Sequence, residues 1–152
     1  MNQKLKRAAL WAASLIWMAV IFMMSAAPGD ISGMQSGRLT RLLAACLSPF
    51  FEMDAGELHT LEIFVRKGAH MTEYAVLFLL YRASLCCSGV ARAGVKALLM
   101  TVGYALTDEF HQSFVPGRGP AVLDVAIDGC GALLAWGAAA LLARIRGRKA
   151  AG

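Results

Sequence analysis

AGVKALLMTVGYALTDEFHQSFVPGRGPAVLDVAIDGCGALLAWGAAALLA, residues 93–143, decides the fold. Two apolar runs flank a centre that gathers Asp108, Glu109, His111, Gln112, Arg118, Asp124 and Asp128 around a Pro116-Gly117 turn. Each run matches the length of about 20 residues that a helix needs to cross roughly 30 Å of hydrocarbon. The pattern predicts two antiparallel membrane helices, about 95–114 and 121–143, with their ionisable groups at one end.

The rest of the chain extends this reading. AALWAASLIWMAVIFMMSAA, residues 8–27, is a first apolar run that stops at Pro28-Gly29, and a further span of about 67–87 begins with KGAHMTEYAVLFLLY. The 152 residues are 58% hydrophobic and only 16% charged, with a mean hydropathy of +0.57. That balance excludes an ordinary soluble core and places most of the apolar burial in a bilayer. The expected fold is all-α, a single integral membrane domain over 1–152: a four-helix transmembrane bundle with a short amphipathic outer segment between spans one and two.

KLKR before the first run and Ser25-Ala26-Ala27 after it also fit a signal peptide with a small-residue cleavage site. The run exceeds the 7–15 apolar residues usual for a signal core, which favours a retained helix.

Charge sets the expected orientation. Lys4, Lys6, Arg7, Arg82, Arg92, Lys96, Arg144, Arg146, Arg148 and Lys149 fall on one side of a four-span chain, and no acid joins them. Basic residues mark the cytoplasmic side, so both termini are expected to be cytoplasmic. The net charge of +5 therefore reflects membrane anchoring, and no nucleic-acid partner is expected. Cys46, Cys86, Cys87 and Cys130 form neither a C-x-x-C pair nor a zinc spacing, so no disulfide framework is expected.

Residues three and four apart share a helix face. Arg66, His70, Glu73, Tyr74 and Leu77 form one such stripe; Tyr104, Asp108, His111 and Gln112 form another, with Glu109 at its edge. Asp124 and Asp128 lie one turn apart, followed by Gly131, Ala135 and Ala139, a small-residue seam for close helix approach. A helical rise of about 1.5 Å per residue puts Glu73, Asp108 and Asp128 at a common depth, about 6–10 Å inside the outer boundary. An intramembrane carboxylate costs about 2.5–3.5 kcal/mol on insertion scales. Glu73, Asp108, Glu109, Asp124 and Asp128 outnumber the nearby permanent cations Arg66, Lys67 and Arg118. Simple pairing, as of Arg118 with Asp124 or His70 with Glu73, leaves part of this charge unexplained.

In the outer segment, Leu39, Leu42, Leu43 and Leu47 make an apolar stripe for a helix lying on the surface or capping the bundle. HTLEIFVRKGAH is expected to form a second short amphipathic helix leading into span two.

RKGAHMTEYAVLFLL, TDEFHQSFVPGR and LDVAIDGCGALLA, with SAAPGDISGMQSG after the first run, together resemble the VanZ-like family of small bacterial membrane proteins. The resemblance touches all four expected spans. It implies residence in the bacterial cytoplasmic membrane, and a link to glycopeptide resistance, because the founding member is associated with low-level teicoplanin resistance. Its motif positions here are Lys67, His70, Glu73, Tyr74, Asp108, Glu109, Gln112, Arg118, Asp124 and Asp128.

The expected site is an outward-facing polar pocket for a cell-envelope lipid head group or a lipoglycopeptide-type amphiphile. Its ligand-binding residues are those motif positions together with Arg66 and His111. Membrane lipids and an envelope precursor or lipoglycopeptide are its expected partners. Arginine engages phosphate in bidentate fashion. The alternative is a membrane-embedded hydrolase or transferase, with His70, Glu73, Asp108 and Glu109 as candidate catalytic groups. A divalent metal is a weak extension of that alternative, because H-x-x-E is not the zincin spacing H-E-x-x-H. A proton- or ion-coupled transporter is a third reading, although four helices are few for one.

Overall fold

The computed structural model describes residues 2–119 and 122–149. Five helices follow one another: α1 (Gln3–Ser25), α2 (Gly29–Leu47), α3 (Ala55–Cys87), α4 (Ala93–Gln112) and α5 (Val122–Lys149). The all-α expectation holds, with no strand among the described residues.

α1 and α5 are long and apolar enough to cross a membrane. α3 and α4, the expected second and third spans, fall short by composition. Arg66, Lys67, Glu73 and Arg82 lie along α3, and Lys96, Asp108 and Glu109 along α4. The expected start of the last span at Ala121 lies outside the described residues.

The outer segment is more ordered than the sequence pattern predicts. α2 spans 19 residues and starts directly after Pro28. The expected second short helix does not exist as a separate element, because α3 is one continuous helix of 33 residues. Its start is fixed by Asp54, whose side chain accepts from the Glu57 backbone at 2.8 Å while Glu57 accepts from the Asp54 backbone at 2.9 Å. This reciprocal capping box satisfies two otherwise orphaned donors. No proline follows it within the helix, and Gly68 alone does not stop the helix from running through into Cys87.

α3 is the central element, packed against α1, α2, α4 and α5. Its Tyr74, Leu77, Phe78 and Tyr81 form the core with Ile21, Ala97, Ala105 and Ala132. Small residues set the spacing. A Cβ on Gly131 would collide with the Met71 backbone, so α5 approaches α3 as closely as the seam predicts. α1 is tied to α3 by a buried Ser14–Ser84 hydroxyl pair at 3.2 Å and by Trp17 Nε1 donating to the Glu73 carbonyl at 2.9 Å.

Large apolar side chains point outward instead of inward: Leu15, Ile16, Met23, Leu99, Phe110, Leu134 and Leu141 are all exposed. The accessible surface is 9864 Å², against the roughly 7,500 Å² that surface scaling gives a compact soluble chain of this mass. The excess goes with this outward display of large apolar side chains. All four cysteines are free.

Candidate functional site

The site sits where the ends of α1 and α4 and the starts of α2 and α5 surround the middle of α3. The Pro116-Gly117 turn after α4 docks on the first residue of α2. Gly29 N–H donates to the Pro116 carbonyl at 3.1 Å. Gly117 adopts φ +74, the left-handed conformation that favours glycine, and its backbone meets Gly29 so closely that no Cβ fits there. This contact brings Arg118 beside α2 and α3.

The inner layer is a buried polar cluster. Asp108, on α4, accepts a 2.5 Å hydrogen bond from the Ser25 hydroxyl and a 2.9 Å bond from Gln112 Nε2. Asp108, Gln112, Ser25 and Asp128 are all buried, as is Glu109. The Tyr74 hydroxyl faces the same carboxylate but makes no hydrogen bond of ordinary geometry to it. Asp128 Oδ1 also lacks a hydrogen-bond partner among the described residues. Asp108, Glu109, Asp124 and Glu73 all act electrostatically on Asp128, so carboxylates of α3, α4 and α5 lie within electrostatic reach of it.

The outer layer carries the cations. Lys67 pairs with Asp124 of α5. Arg66 bonds Glu62 at 3.2 Å, one turn earlier on α3. His70 Nδ1 lies 3.9 Å from Glu73 Oε2, an ion-pair distance too long for a hydrogen bond. Arg118 makes no ion pair among the described residues, although Asp108, Glu73 and Glu109 act on it electrostatically. Partial burial lowers its pKa, yet a guanidinium keeps its charge in proteins. The sequence-based pairing of Arg118 with Asp124 is therefore corrected: the reach of Lys67 across the α3–α5 contact takes Asp124 instead.

Two adjoining cavities open on this layer. One, of about 210 Å³, is walled by Met24, Leu39 and Val65 on its apolar side and by Gln35, Ser36 and Glu73 on its polar side. The other, of about 190 Å³, is lined by Lys67, Gln112, Asp124 and the glycines of the turn. Ser32, Arg66, His70 and Arg118 belong to both.

Of the residues singled out from sequence, Arg66, Lys67, His70, Glu73, Gln112, Arg118 and Asp124 line these cavities. Tyr74, Asp108, Glu109 and Asp128 do not line them; they are buried. His111 is elsewhere: it stacks on Phe22 with ring centroids 4.3 Å apart. Its Nε2 is buried without a hydrogen-bond partner. Among the described residues, no three His, Cys, Asp or Glu side chains are grouped to hold a metal ion.

Sequence reasoning missed Ser25, Ser32, Gln35 and Ser36. Ser25 reads equally well as part of a small-residue stretch closing an apolar run. The α2 residues carry a detectable signal, Ser32, Ser36 and Thr40 at intervals of four, which marks the face that packs on α3.

A family model described as VanZ/LLP1 matches residues 10–143. No curated protein and no solved structure matches the chain. Family and apolar helices together point to a membrane protein. With α2, α3 and α4 wholly inside the matched region, and most of α1 and α5 as well, this chain belongs to the VanZ/LLP1 family.

Proposed function

We propose that the protein is a four-span bacterial cytoplasmic-membrane protein with cytoplasmic termini, whose outward-facing pocket binds an amphiphile of the cell envelope. The ligand is an anionic lipid head group or a lipoglycopeptide-type molecule, and the resulting activity bears on glycopeptide (teicoplanin) susceptibility. One observation carries the reading: two cavities of unlike character share a wall containing Arg66, His70 and the unpaired Arg118. A guanidinium without an ion-pair partner favours an anion, and the Met24, Leu39 and Val65 wall suits an attached chain. α3 and α4 serve as spans in this reading because Glu73, Asp108 and Glu109 turn toward the polar cluster, while Arg82 and Lys96 sit at the opposite ends of their helices.

Protein extracted with its native lipids and analysed by native mass spectrometry tests the proposal. A retained phosphate-bearing or glycosylated amphiphile, lost in a well-expressed Arg118→Ala variant, supports it. Equal retention by both proteins, with unchanged teicoplanin susceptibility of the cells, defeats it. Conversion of the retained species during incubation would reassign His70 and Glu73 to general acid-base work.

A further inference from the structure

α2 is built inside-out. Its face toward α3 carries small residues, Ser32, Gly33, Ser36, Thr40 and Ala44, all buried or half-buried. Ser36 donates from this face to Glu62 of α3 at 2.9 Å. Its outward arc holds Ile31, Leu39, Leu42 and Leu43, all exposed, with Leu42 at 65%. A water-facing helix shows the reverse order, apolar toward its neighbour and polar outward. Small residues inward and leucines outward is the arrangement of helices in lipid.

Charge and length name the occupant of that face. Arg38 and Arg41 flank the leucine arc; both are exposed and neither has an ion-pair partner among the described residues. Guanidinium groups beside an apolar arc match the phosphates and acyl chains of a bilayer interface. α3, at 33 residues, is about 50 Å long by its helical rise, some 20 Å more than the hydrocarbon thickness. α2 lies along the surplus, starting four residues after α1 ends and bonding the α3 stretch before Lys67.

We propose that α2 is seated in the outer lipid interface, with Leu39, Leu42 and Leu43 among the acyl chains and Arg38 and Arg41 on lipid phosphates. α2 is then a lipid-supported wall of the larger cavity, and the Leu39 side of that cavity opens to the bilayer instead of to water. The surface is independent of what the pocket binds, so the two readings fail separately.

The test uses full-length protein with Cys46, Cys86, Cys87 and Cys130 replaced by serine. A nitroxide is placed through Leu42→Cys, or through His59→Cys as the exposed control. Both are reconstituted in phosphatidylcholine vesicles containing phosphatidylglycerol. Collisions with oxygen should exceed those with a water-soluble nickel complex several-fold at position 42, and the order should invert at position 59. Arg38→Gln with Arg41→Gln should raise nickel access at position 42. Nickel access at 42 equal to that at 59 overturns the proposal. So does a label shielded from both reagents with dipolar broadening, since a second copy then covers the arc. Unsubstituted protein gives an independent readout: a diazirine phospholipid in the same vesicles should label residues 39–43, and absence of labelling also overturns the proposal.

Discussion

Ser25, the last residue of α1, donates a 2.5 Å hydrogen bond to Asp108 on α4 and is itself buried. With Gln112 bonding the other carboxylate oxygen, the two ends of helices 83 positions apart are joined through one acid. Removing the serine hydroxyl leaves that buried oxygen short of a donor.

Ser25→Ala should therefore destabilise the protein by about 1–3 kcal/mol, the cost of an unsatisfied buried polar group. Ser25→Thr, which keeps the hydroxyl, should recover part of the loss. Unfolding midpoints of the three proteins in one detergent decide it.

Gly131→Ala should be damaging because its Cβ would meet the Met71 backbone, which has no flexible end to move aside. Forced separation of α3 and α5 should cost about 1–3 kcal/mol, the usual scale of overpacking. Gly103→Ala is the matched control, since nothing lies within 4 Å of its Cβ position. That change should be neutral or stabilise by up to about 1 kcal/mol from helix propensity.

Lys67 and Asp124 join α3 to α5, with side chains 36% and 32% exposed. At that exposure a coupling energy of about 1 kcal/mol or less is expected. A double-mutant cycle with Lys67→Met and Asp124→Asn measures it. The charge-swapped pair Lys67→Asp with Asp124→Lys should restore most of the coupling, whereas either swap alone should not.

The α2–α3 contact should loosen in acid. The Ser36 hydrogen bond, with Arg66 assisting, holds the Glu62 carboxyl below its ordinary value of 4.5. A carboxyl with a lowered folded-state pKa contributes stability above its unfolded value and loses it as pH falls through the folded one. Spin-label distances between Met34→Cys and Ile63→Cys should therefore broaden below about pH 4.5. In a Ser36→Ala background the distribution should be broader at neutral pH and less sensitive to acid.

α1 and α5 were legible because apolar runs of bilayer length are long signals with sharp stops. The seam at Gly131 also followed from spacing, since i, i+3 and i, i+4 positions fix a helix face, whereas of Glu73, Asp108 and Asp128 only Glu73 lines a cavity and the other two are buried. Pairing did not follow. Nothing in the spacing says whether Asp124 meets Arg118 on its own loop or Lys67 across the bundle, because that depends on how two helices are rotated. The continuity of α3 was hidden by a change of pattern near Lys67, where an amphipathic stretch becomes an apolar one without any break in the backbone. Ser25 and the serines of α2 escaped notice because small hydroxyl residues look alike whether they border a loop or touch a buried acid.

That unbroken α3 has a mechanical consequence. Arg66, Lys67, His70 and Glu73 ride on a single rod, so the spacing of their backbone positions is preset. Accommodation falls instead to the parts that meet the rod without belonging to it, α2 and the turn bearing Arg118, which share the glycine-to-glycine contact at positions 29 and 117. A displacement of one of them would carry the other with it, so both cavities would change shape together against a fixed rail.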